Sequence, residues 1–316
     1  MSTANLVPET YGLSGDDAKE TLERTGRTRL LEDSFRRLRV ADGFSHARSL
    51  VFAGALVVVQ ATIAVVGLAS MLQRGGLSAT LAHALKTAAP GPAGTVLTHA
   101  VDQAHKAGGG GSLALWIGLI GALISGTTLM GQLERGLNRL YGIENDRPTA
   151  EKYGRAFVLA VTAGVLAVIG FAMMAFGNAV AHGTAARIWG VVRWPLGFVL
   201  LAGAIALMFR WSPNRRQPAW SWLVYGGAIA VVLTTISTFA LAWFFGWSHT
   251  FGQTYGPLAG MVALLMWLLL VAVSVLFGAA VAAQLEAVRA GVPQPQDLSK
   301  ATDSVPLGAH RATAAA

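Results

Sequence analysis

Residues 113–142 read LALWIGLIGALISGTTLMGQLERGLNRLYG, and the reading of this stretch decides the fold of the whole chain. Its first nineteen residues, 113–131, carry no charge. As a helix they extend roughly 29 Å at about 1.5 Å per residue, which matches the hydrocarbon core of a bilayer. No proline separates them from Gln132, Glu134, Arg135, Asn138, Arg139 and Tyr141, so the helix is expected to run on into polar sequence. Glu134, Asn138 and Tyr141 then follow at i, i+4 and i+7 and share one face, at the depth where hydrocarbon gives way to headgroups. That polar face is the first candidate for function.

The rest of the chain fits a membrane protein. Of its 316 residues 53% are hydrophobic and 13% charged, against roughly 25% charged in soluble domains. The mean hydropathy is +0.52. A net charge of +8 could suggest nucleic acid, but the basic residues lie at membrane ends and in the N-terminal arm, where orientation on the bilayer accounts for them. The absence of cysteine excludes disulfides, zinc thiolate sites and thiol chemistry. The first 49 residues are too polar for a secretory signal, so no cleavage is expected.

Six apolar runs, at about 49–73, 113–131, 156–181, 189–209, 219–247 and 255–285, are each long enough to span. The fold class is therefore all-α, a polytopic membrane protein with six transmembrane helices. Arg193 and Pro195 sit near the start of the fourth run, where arginine can snorkel and proline is tolerated in a first turn. Of the 24 Lys and Arg residues, 19 fall on the side of the two termini and five on the other, which places both termini in the cytoplasm.

Three regions follow: an arm at 1–48, a six-span domain at 49–286, and a tail at 287–316. In the arm, residues 1–12 read as unstructured, and Ser14, three before Asp17, starts a helix expected to reach about Val40. Leu31, Phe35 and Leu38 share one side of it beside Arg36, Arg37 and Arg39, so it is either an amphipathic helix in an anionic interface or a solvated charged arm. The outer connection 74–112 carries two helix-like pieces around Pro90-Gly91-Pro92, then the flexible Gly108 to Gly111. The tail, with Pro293, Pro295 and an Ala-rich end, reads as disordered.

In lipid, helices approach through small residues. Gly118, Ala122 and Gly126 form one such ladder, and Ser274, Gly278 and Ala282 another. Thr234, Thr235, Ser237 and Thr238 offer hydroxyls in the fifth run, though such groups commonly bond their own i−4 carbonyls. Gln60, an amide near the middle of the first run, needs a partner there and serves either as interhelical glue or as cavity lining. Glu134 and Glu286 approach the hydrocarbon zone near basic residues. Each is either a structural ion pair or interface anchor, or a proton-coupled or substrate-binding carboxylate. His182 and His249 have no partner at ligand spacing, and no phosphate-binding loop or nucleophile elbow occurs, so no metal, cofactor or enzymatic reaction is expected.

Leu137-Asn138-Arg139, Tyr141-Gly142 and Arg147-Pro148 after the second run, Pro213-Asn214-Arg215-Arg216 after the fourth, and Tyr255-Gly256, Trp267 and Gly278-Ala279 in the sixth appear in an order that resembles the BrkB/YihY family. The resemblance covers residues 35–290 and implies a bacterial inner-membrane protein that moves or handles a lipid or envelope precursor. A ribonuclease label also attached to the family conflicts with the lack of metal ligands. The chain departs from the family pattern at Leu56-Val57-Val58-Val59-Gln60, at Gly278-Ala279-Ala280, where the family carries Gly-Ala-Glu, and at Gln284, where an acid is expected. The expected inner-side site comprises Glu134, Asn138, Arg139 and Tyr141, with Arg147, Arg215 and Arg216 attracting phosphate-bearing headgroups. Gln60, Tyr255 and Glu286 are secondary candidates. The expected partners are anionic membrane lipids and a second copy of the chain. The alternatives are a scaffold recruiting an envelope or division partner through its basic arm, and a membrane hydrolase.

Overall fold

The computed structural model describes residues 3–71, 111–175, 184–247 and 258–295. Within them lie eight helices, α1 (Gly15–Thr25), α2 (Arg27–Val40), α3 (Gly43–Met71), α4 (Gly111–Tyr141), α5 (Thr149–Ala175), α6 (Thr184–Trp211), α7 (Trp220–Trp247) and α8 (Leu258–Arg289). The last six are long and apolar enough to cross a membrane. The expected helices of the outer connection lie outside the described residues, as do Tyr255, His182 and His249.

Each long helix packs against the next in sequence, and α8 returns to α3, so the six close into a ring. Small residues set the closest approaches. A Cβ at Gly118 would run into the Ala64 backbone of α3, and one at Gly278 into the Gly226 carbonyl of α7. Both expected ladders are therefore packing seams, where the missing side chain lets two backbones meet. Thr235 and Thr238 bond the carbonyls of Val231 and Thr234 as expected, and Thr238 also accepts from Trp267 Nε1 at 3.0 Å. Gln60 places its Oε1 against Gly121 of α4, buried and without a partner among the described residues.

The polar continuation of α4 is helical through Tyr141, and the main core gathers around it. Leu133, Leu137 and Leu140 meet Leu276 and Leu285 of α8, Phe209 of α6, and Leu30 and Leu38 of α2. The bundle is thus best packed at one end, the end that carries the charged residues.

Several local features differ from the sequence expectation. The helix expected over 14–40 is two, broken at Gly26, whose φ of +82° suits glycine. Ser14 does start the first, through a reciprocal capping box with Asp17. Residues 3–14 are not loose. They form an extended strap, with Ala4 N donating to Arg139 O, Val7 N to Tyr141 O and Asn5 N to Pro295 O. Pro295 can accept because residues 290–295 fold back after α8 instead of disordering, helped by Gly291 at φ +76° and by Gln284 Nε2 donating to Pro293 O at 2.6 Å. Prolines without N–H groups still offer carbonyls, and here those carbonyls are what the tail contributes. Pro195 lies well inside α6, because that helix begins at Thr184 and not where the apolar run does.

α1 docks on α7 and α8. Gly15 N donates to Ser221 Oγ, and Arg289 reaches Asp17 and Glu20 at 3.2 Å. α2 lies on α8 with Leu30, Ser34, Arg37 and Leu38 buried. Of the apolar stripe expected at a membrane interface, Leu38 faces the protein, while Leu31 and Phe35 remain about half exposed, at 45% and 46%. Arg37, expected beside that stripe, is wholly buried.

Candidate functional site

The charged end holds two polar assemblies separated by the face of α4 that the i, i+4, i+7 spacing singles out. Glu134, Asn138 and Tyr141 are all buried, each 2% exposed or less.

The first assembly is built where α4 turns into α5. Glu134 lies 3.4 Å from Arg147 Nη1, and both side chains are almost fully enclosed. Arg147 also donates to Ser212 O at 2.7 Å and to Pro213 O at 2.5 Å, so one guanidinium pins the α6–α7 loop to the α4–α5 corner. Burial lowers its pKa, and the neighbouring Glu134 opposes that effect. Asn138 uses both ends of its amide. Nδ2 donates to Asp146 Oδ1 at 2.9 Å and Oδ1 accepts from Asn214 N at 2.8 Å. Asp146 further accepts from Lys152 Nζ at 2.9 Å and Arg135 Nε at 3.3 Å. Burial alone would raise the Asp146 pKa, but the bonds from Asn138 and Lys152 and the lysine's charge outweigh it and hold the carboxyl at about 2. Arg139 turns away to the carbonyls of Ile143 and Glu144, closing the corner from outside.

The second assembly joins α8, the α6–α7 loop, α2 and the strap. Glu286, fully buried, accepts from Arg215 Nη2 at 2.6 Å and from the Thr10 hydroxyl at 2.7 Å. The Arg215 guanidinium stacks over the Tyr141 ring, 4.7 Å from its centroid. Beside it, Arg37 Nε donates to Gln284 Oε1 at 2.7 Å and Nη1 to Leu140 O at 3.0 Å and Asn5 O at 3.2 Å. Burial lowers the Arg37 pKa to about 10, so the group stays charged near neutrality.

The expected site residues therefore divide. Glu134, Asn138 and Arg147 are joined in one assembly, and Tyr141, Arg215 and Glu286 in the other. Arg139 caps the corner, Arg216 is exposed with its backbone N–H on Glu9, and Gln60 lies apart in the α3–α4 seam. The principal participants that sequence reasoning misses are Arg37, Asp146 and Thr10. Arg37 had a usable signal, since it falls on the helical stripe Leu30, Ser34, Leu38 that packs on α8. Asp146 and Thr10 sit in non-helical segments, and no period marks them.

A different feature lies on the outer surface between α4 and α5. An apolar groove of about 400 Å³ runs past Ile120, Leu123, Ile124 and Thr127 to Tyr153 and Phe157. It reaches toward the basic corner, where Lys152 and Arg155 flank Tyr153 on the first turns of α5. Among the described residues no three His, Asp or Glu side chains gather as a metal site would require.

Comparison with known proteins agrees with this architecture. A UPF0761 membrane protein of Methylibium petroleiphilum is 25% identical over 190 residues, 59% of this chain and 44% of the relative, so the match spans less than half of that protein's length. No solved structure matches. The family model described as virulence factor BrkB matches residues 34–303, which take in all six long helices, the first polar assembly and the second apart from its strap residues Asn5 and Thr10, and the chain is a polytopic membrane protein that belongs to this family.

Proposed function

We propose that the protein handles lipid in the bacterial inner membrane as a transporter or flippase-like protein, with its charged end in the cytoplasm. The observation that carries this reading is the α4–α5 groove, apolar and open to the side, whose Tyr153 end lies on the first turns of α5 next to Lys152 and Arg155. Acyl chains suit its walls. Arg155 and Arg135, 48% and 39% exposed and paired with Glu151 and Asp146, keep donors on the side where a phosphate-bearing headgroup would lie. The excess of Lys and Arg at the same end supports the cytoplasmic placement. The reading assigns no catalytic step, and it gives the enclosed polar assemblies the task of holding the six helices in register.

Reconstitution into vesicles tests it. Protein-containing vesicles should move a fluorescent phospholipid between leaflets faster than protein-free ones, and Thr127→Trp, which fills the groove, should slow that movement. Flux no faster than in protein-free vesicles overturns the reading. The scaffold alternative draws on the half-exposed Leu31 and Phe35 of α2. Replacing both by Ser would release a recruited partner while leaving lipid movement intact.

A further inference from the structure

The strap covers a second place, away from the groove. Around Tyr141 lie five buried polar atoms with no hydrogen-bond partner among the described residues: Arg37 Nη2, the Tyr141 hydroxyl, Gln217 Nε2 and Oε1, and Glu286 Oε2. They belong to one neighbourhood. Arg215 stacks over the Tyr141 ring and bonds Glu286, Arg37 bonds the carbonyl of Leu140 next to Tyr141, and the Gln217 amide lies beside the Tyr141 hydroxyl. Polar atoms that stay unpaired in a protein interior cost stability, and several of them facing one another mark a place that water or a ligand fills.

The charge of the place is specific. Arg37 and Arg215 bring two cations and Glu286 one anion. Glu286 lies on Arg215, and although the carboxylates of Asp33 and Glu286 are within electrostatic reach of Arg37, its hydrogen bonds go to neutral acceptors: the Gln284 amide and the carbonyls of Leu140 and Asn5. A buried guanidinium that hydrogen-bonds only neutral groups, with Nη2 unpartnered among the described residues, has a donor left for an oxyanion. The strap serves the two arginines poorly. Its carbonyls at Asn5, Val7 and Pro8 accept from Arg37 and Arg215 at 3.2–3.3 Å, whereas the bonds these arginines make to α8 are 2.6–2.7 Å.

We infer that the cluster of polar groups around Arg37, Tyr141 and Gln217 binds a phosphate group, and that the strap carbonyls of Asn5, Val7 and Pro8 occupy part of that group's place until it arrives. Arg37 Nη2, the Tyr141 hydroxyl and Gln217 Nε2 supply the donors. Glu286 Oε2 and Gln217 Oε1 accept from a protonated phosphate oxygen or from water carried in with it. The group belongs either to a lipid headgroup or to free phosphate, and the chemistry of recognition is the same for both. This goes beyond the lipid-handling groove and is tested by binding, not by flux.

The test uses the full chain in detergent and in nanodiscs, with thermal unfolding followed against inorganic phosphate, phosphatidic acid and phosphatidylcholine at constant ionic strength. Saturable stabilisation by phosphate or phosphatidic acid, absent with chloride, is the expected result. Stabilisation by inorganic phosphate identifies free phosphate as a ligand, and stabilisation by phosphatidic acid alone identifies a headgroup. Tyr141→Phe removes one donor and keeps the ring under Arg215, so folding should hold while affinity falls about tenfold. Thr10→Val loosens the strap from Glu286 and should raise affinity several-fold. If neither wild type nor Thr10→Val responds to phosphate or phosphatidic acid, or if Tyr141→Phe binds as tightly as wild type, the site is overturned. Lipid movement in vesicles is a separate measurement, and the groove stands or falls on that alone.

Discussion

Two buried carboxylate–arginine pairs sit at the same end of the bundle and do different work. Glu134 and Arg147 are thirteen residues apart, span one corner and meet at 3.4 Å, and Arg147 is held as much by two backbone carbonyls as by its carboxylate. Glu286 and Arg215 are 71 residues apart and meet at 2.6 Å, with Thr10 of the strap on the same oxygen. The first pair fixes a local turn. The second joins the last helix, a loop and the strap, so its loss is felt by parts of the chain that share no neighbouring sequence. Both converge on residues 212–215, which makes that short loop the common keystone.

The sharpest way to break the comparison is Glu286→Ala, which leaves Arg215 enclosed without its carboxylate. It should cost about 3–5 kcal/mol, read as a lower unfolding midpoint in detergent, with earlier proteolysis of the strap. Replacing both Glu286 and Arg215 by Met should recover much of that loss, because an apolar pair removes both buried charges together. Asn138→Ala, on the other side, should cost about 1–3 kcal/mol by leaving Asp146 and the Asn214 N–H short of a partner, and it should leave the strap protected. Equal strap release in Asn138→Ala and Glu286→Ala would erase the distinction between the two assemblies.

A smaller effect is expected at Gly142, where φ is +81° and an added Cβ would run into the backbone of Asn5 and Leu6. Gly142→Ala should cost about 1–2 kcal/mol and lift the strap while sparing the corner. Smallest is a pH effect confined to the first assembly. The Asp146 pKa is lowered from 3.8 to about 2 in the fold, so its contribution is present above about pH 4 and is lost as pH falls toward 2. Asp146→Asn should flatten that acid limb of the unfolding midpoint without shifting its neutral-pH dependence.

Much of this was legible in the sequence. The length of the uncharged runs predicts the six long helices, and the Ser14–Asp17 spacing predicts the first cap. The small-residue ladders predict packing seams on the second and sixth spans, though not the helices that they meet. Periodicity also places Glu134, Asn138 and Tyr141 on one inward face. It cannot assign partners, since Asn214, Arg215 and Thr10 reach their partners in these assemblies across 71 to 276 positions. Composition misleads at the ends for a related reason. The strap and the residues after α8 look too polar and too rich in proline to order alone, yet each supplies the backbone acceptors or donors that the other lacks. Arg37 shows the same limit, because counted by charge it belongs in water and counted by helical position it belongs inside.

Asn5 holds residues 294 and 295 through its backbone N–H, at 2.8 Å, and its side-chain amide, at 3.0 Å. Ribosomes deliver those two stretches nearly a whole chain apart in time. The early segment can meet α4 through Ala4 and Val7 once that helix is in place, but its bonds to residues 294 and 295 must wait until the last helix has been made. Closure of the polar end is therefore completed only after α8, and a ribosome stalled before α8 is complete should leave that end more open to protease.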